Sequence, residues 1–176
     1  MGARITPKPE ATGRHPFRLV HQMLVLDAFL EAPLDQRRYE AITCGFIDDV
    51  LSALGMEALG EVGIYLANDP RAPGWSFIQP ITTSHLSGHY FDKPGLHPHL
   101  RLDAYRCDSV RQRRLSALSH KHFRLGNWHA TFIDREIDQP DRRRVLDLAG
   151  AGSETQVERT LASTPETKRE VFYARR

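Results

Sequence analysis

The chain has 176 residues, 40% apolar and 26% charged, which fits one domain with a single core and terminal tails. Its formal net charge of +2 is too balanced for nucleic acid to be the main partner. No apolar run approaches the roughly 20 residues that span a bilayer. Residues 1–16 lack the apolar core of a signal peptide, which argues against a membrane partner and makes a reducing cytoplasm the expected compartment. The two cysteines, Cys44 and Cys107, are too few and too far apart to form a disulfide framework, so Cys107 is expected as a free thiol.

Residues 1–16 hold three prolines and no periodic pattern, and read as a loose arm. Residues 18–26 form an apolar run that predicts a buried strand. Asp35 is placed to cap a helix over 36–54. Within it Tyr39, Ile42, Phe46, Val50 and Leu54 recur at steps of three and four, and Gly55 supplies the stop. Residues 61–67 predict a second strand and 68–74 a loop with two prolines.

Extended stretches follow at 75–81 and 84–91, flanking Thr82-Thr83. A loop over 92–98 leads to an alternating strand at 99–106. Asp108 or Ser109 is placed to cap a second helix running to about Phe123, with Gly126 ending it. Residues 128–133 predict a last strand. The chain beyond Arg135 is polar and arginine-rich. Residues 137–176 therefore read as an extension, with a helix expected near 166–174 and Arg142–Arg144 as a solvated run.

Strands in direct succession predict antiparallel pairing with both helices on one face: an α+β two-layer sandwich over residues 17–136. Its second sheet face needs a cover, and another copy of the chain is the simplest one.

The chemistry-bearing stretch runs from Gly74 through Trp75, Ser76, Thr83, Ser84, His85 and Leu86 to His89, followed downstream by Asp103, Tyr105 and Cys107. This pattern resembles the bacterial class of S-adenosylmethionine decarboxylases, which carry a Ser-His-Leu-x-x-His core, a serine eight residues earlier, and an Asp-x-aromatic-x-Cys strand. More loosely, the resemblance covers 17–136.

The resemblance implies a proenzyme that cuts itself between Thr83 and Ser84 and becomes a pyruvoyl-dependent carboxy-lyase of polyamine synthesis. Residue 84 becomes a covalent pyruvoyl group, whose ketone takes the substrate amine and draws electrons from the departing carboxylate. A serine hydroxyl is a weak nucleophile unaided, so the cut needs a proton acceptor and an oxyanion donor. His89 and Ser76 match the family positions for these roles, and Cys107 matches the acid that returns a proton after decarboxylation.

On an extended chain Ser76 and Ser84 share a face, because eight is even, while His89 needs a turn or bulge to join them. The family's usual residue before the cut is glutamate; here it is Thr83. Its ribose-holding glutamate falls at Lys93, with Asp92 one step earlier as a substitute. The stretch from His89 to Cys107 is three residues longer than expected. Trp75, Tyr90 and Phe91 are the candidates for stacking on a nucleobase.

The substrate is therefore read as S-adenosylmethionine or a basic amino acid such as ornithine or arginine, and the protein as a homodimer of processed protomers. An unprocessed binding homologue partnering an active subunit is the alternative. His97 and His99 with His85 and His89 suggest a metal site, but no downstream acidic and histidine ligands have suitable spacing, so no metal is expected.

Overall fold

The computed structural model describes residues 20–82, 84–92, 97–106, 111–136 and 144–163. Its eight strands are β1 (Val20–Leu30), β2 (Gly63–Ala67), β3 (Gly74–Ile81), β4 (Ser84–Phe91), β5 (His99–Arg106), β6 (Leu125–Glu136), β7 (Arg144–Ala151) and β8 (Glu154–Ser163). The helices are α1 (Tyr39–Leu54) and α2 (Gln112–Phe123). The strands form one antiparallel sheet in the order β2-β3-β4-β5-β1-β6-β7-β8. The fold is the α+β two-layer sandwich that the strand succession predicts.

Period-two alternation sets which side chains meet the helices. Leu24, Leu26 and Ala28 of β1, Leu86 and Tyr90 of β4, Leu100 and Leu102 of β5 and Phe132 of β6 are buried. They pack with Phe46 and Val50 of α1 and Leu115 and Phe123 of α2 in a single core. The residues between them face the other side of the sheet, called here the open face.

Asp35 accepts the Arg37 N–H at 3.0 Å, but the turn it caps is a short 3-10 segment, Gln36–Arg38, and α1 begins at Tyr39. Gly55 ends α1 as expected, at φ 61°, its N–H reaching the carbonyls of Leu51 and Ser52.

The stop of α2 differs from expectation. Arg124 takes the left-handed conformation, φ 55°, and donates its N–H to His120 O at 2.8 Å. Gly126 lies inside β6, where an added Cβ would sit 3.2 Å from Phe29 O, so close backbone approach accounts for that glycine. The predicted cap residues Asp108 and Ser109 lie outside the described residues.

The segment read as a polar extension supplies two strands of the same sheet. β7 buries Leu146, Leu148 and Gly150 in alternation, and Gly152, φ 56°, turns it into β8. Trp128 of β6 donates its indole N–H to Gly152 O at 3.0 Å, tying the hairpin to the core. The N-terminal arm and the helix expected near 166–174 lie outside the described residues. Among the described residues no helix is long and apolar enough to cross a membrane.

Candidate active site

The β3–β4 hairpin carries most of the candidate residues. Its register pairs Ser76 with His89, Phe77 with Gly88 and Ile81 with Ser84, without a break. Ser76 Oγ and His89 Nδ1 lie 2.8 Å apart, a hydrogen-bonded dyad on the open face.

Ser84 opens β4 immediately after the turn. It stands in line with the buried Leu86, Gly88 and Tyr90, on the helix side. Its Oγ is buried and has no hydrogen-bond partner among the described residues.

The expectation that Ser76 and Ser84 share a face is therefore corrected. The intervening turn reverses the chain, and in this hairpin Ser84 shares a face with Ile81, not with Ser76. No bulge rotates His89 back. Five strand positions separate Ser84 from His89, about 17 Å at the usual rise of ~3.3 Å per residue. Within one chain, the nucleophile and the dyad lie on opposite faces and at opposite ends of β4.

The other candidates cluster at the dyad end. Phe91 lies two positions beyond His89 and stacks on His99, ring centroids 4.8 Å apart. Asp92 accepts from Gln36 Nε2 at 2.8 Å and donates its N–H to Pro73 O. Trp75 is corrected as a substrate contact. It is 1% exposed, donates to Thr43 Oγ1 at 3.0 Å and packs on Tyr90 with centroids 4.2 Å apart. Tyr90 is likewise core; burial raises its phenol pKa, and its hydroxyl accepts the Leu34 N–H. Thr83, Lys93 and Cys107 lie outside the described residues.

Next to Ser84, on the open face, is a cluster that the sequence reading left without a role. His85 pairs in register with Tyr105, their ring centroids 5.9 Å apart. Tyr105 Oη in turn hydrogen-bonds His21 Nδ1 on β1. Tyr105 stood within the Asp-x-aromatic-x-Cys pattern, but only the β1–β5 pairing reveals its contact with His21.

Midway along the open face Asp27 of β1 and Arg101 of β5 form an ion pair at 3.2 Å, both largely solvated. His97, His99, His85 and His89 do not converge: no group of three or more His, Cys, Asp or Glu side chains able to hold a metal occurs among the described residues. No family model and no curated protein matches the chain.

Proposed function

We propose that the chain is a self-cleaving, pyruvoyl-dependent decarboxylase acting on S-adenosylmethionine, with Ser84 as the residue that cuts and is converted. The carrying observation is the Ser84 hydroxyl, buried at the start of β4 with no partner among the described residues. Burying an unpaired hydroxyl costs about 1–3 kcal/mol, so an orphan at the expected cleavage position favours a reactive role over a packing one. It also fits the covalent group, whose atoms all derive from a serine at that position and water.

The cut proceeds by chemistry of the chain alone. Ser84 Oγ attacks the Thr83 carbonyl carbon, the C–N bond breaks, and the nitrogen takes a proton. The resulting ester loses the Ser84 α-proton. That C–H electron pair forms the Cα–Cβ double bond while Cβ–Oγ breaks and Thr83 departs as a carboxylate. Water then replaces the nitrogen, which leaves as ammonia. The pyruvoyl group, once formed, supplies an electron-accepting ketone adjacent to the substrate's α-carbon.

The Ser76–His89 dyad stands on the open face, away from the Ser84 hydroxyl, so within one chain it does not serve the first attack. A two-fold axis through the open face would pair the dyad-bearing faces of two copies, the homodimer of this reading. The face offers half-exposed apolar side chains, Ile78 and Phe29, and the Asp27–Arg101 pair for such contact. In this reading Phe91 holds a substrate ring and Cys107 returns the proton.

Asp92 already accepts the Gln36 amide, which favours ornithine or arginine as the second substrate reading: a carboxylate held there is less free to take ribose hydroxyls. Carbon dioxide release from S-adenosylmethionine, ornithine and arginine in parallel tests the function. Release from the first above the other two is expected. Release from none, by cleaved protein, overturns the proposal. Cys107→Ala is expected to leave scission intact and lower turnover at least about 100-fold.

A further inference from the structure

We propose that His85, oriented by Tyr105 and His21, is the base that takes the α-proton of residue 84 in the second step of self-cleavage. The proposal rests on the self-cleavage reading above. Hydroxyl attack and α-proton removal make different geometric demands. At a tetrahedral α-carbon, Cβ and Hα lie on opposite sides of the N–Cα–C plane. The Ser84 side chain is turned to the helix layer, so a base for the α-proton approaches from another side than the hydroxyl's.

The His85–Tyr105–His21 cluster meets that demand. His85 directly follows Ser84 and points to the open face. The ring of Tyr105 stands opposite it on β5, and the Tyr105 hydroxyl is held by His21 from β1. Three strands thus converge within one register position of the bond to be cut, whereas His89 stands five positions away on the same strand. On the helix side of the same end of β4, Ile81, Leu86 and Leu54 wall a small hollow, on the face away from the His85 ring. Tyr105 and His21 act through His85 as positioning residues.

The test separates the two steps on the full-length chain. Before elimination the Thr83–Ser84 linkage is an ester, which hydroxylamine cleaves and an amide resists. Wild type is expected to cut spontaneously. His85→Ala and Tyr105→Phe are expected to accumulate uncut chain at least about 100-fold longer, in line with general-base effects. Hydroxylamine should split both variants between residues 83 and 84, and added imidazole should restore spontaneous cutting to His85→Ala. Tyr105→Phe keeps the ring and so guards against loss of fold, checked by an unchanged melting temperature.

Cutting of both variants at the wild-type rate overturns the role of the cluster while leaving the cleavage reading intact. Uncut variants that resist hydroxylamine also overturn it, because the block then lies at the first step. An intact wild-type chain overturns both proposals.

Discussion

Gly88→Ala tests how tightly the strand bearing both Ser84 and His89 is locked to the core. Gly88 sits on the helix side of β4, opposite Phe77. A Cβ added there would lie 2.5 Å from Phe77 Cζ and 3.1 Å from Arg101 O. Carbon atoms normally approach to about 3.5–4.0 Å, so the ring must retreat by roughly 1 Å. It has little room. Phe77 is 1% exposed, its ring lying 6.1 Å from that of Phe46 and stacked 6.3 Å from that of Phe123. Overpacking a core of this kind costs about 1–3 kcal/mol, and the fixed carbonyl on the other side puts the cost near the upper end, about 3 kcal/mol. For a chain of this size that lowers the melting temperature by roughly 6–12 °C. Calorimetry or thermal circular dichroism reads it. Phe77→Leu in the same chain should restore part of the loss, making the double variant more stable than the two single costs added together. A melting temperature within about 2 °C of wild type would refute the packing described for β4.

Leu148→Ala should cost about 2–5 kcal/mol, since Leu148 is 1% exposed in the core; a loss within about 0.5 kcal/mol, typical of surface positions, would return β7 to a peripheral role. Thr43→Val leaves the buried Trp75 indole N–H without its acceptor, and urea unfolding should show a loss of about 1–3 kcal/mol. Lys121 and His122 each hydrogen-bond Asp49 at 2.6 Å and hold its carboxyl below the ordinary 3.8. A depressed folded value means this stability is present above about pH 4 and fades as pH falls through the folded value. The stability gap between wild type and Asp49→Asn should therefore be widest above pH 4 and close on acidification; a gap that widens toward low pH would contradict the pairing.

What the sequence made legible was local. The α1 stripe, the Gly55 stop and the strands around Thr82-Thr83 follow from periodicity and turn chemistry that one segment carries by itself. The β7–β8 hairpin escaped because Ala149, Gly150 and Ala151 alternate in size too little, and Glu154, Glu158 and Arg159 look like a solvated run. Only pairing with β6, and Trp128 reaching Gly152, make them strands. Arg124 ends α2 where no glycine signalled it, while Gly126 answers a backbone approach that no local count reveals.

At the site, the family resemblance singled out Ser76, His89 and Ser84 together; Ser76 and His89 are hydrogen-bonded, and Ser84 stands apart from them. Face parity failed because counting along an extended chain ignores the chain reversal that pairs Ile81 with Ser84. The His85–Tyr105–His21 cluster needed the β1–β5 and β4–β5 registers, which are long-range facts.

The mass of the purified protein under denaturing conditions probes residue 84 most directly. The account predicts two chains, residues 1–83 and 84–176, the second lighter by one ammonia than simple hydrolysis would leave it, and a single full-length chain from Ser84→Ala. A single uncut chain from wild type, with an unmodified serine at position 84, would contradict it.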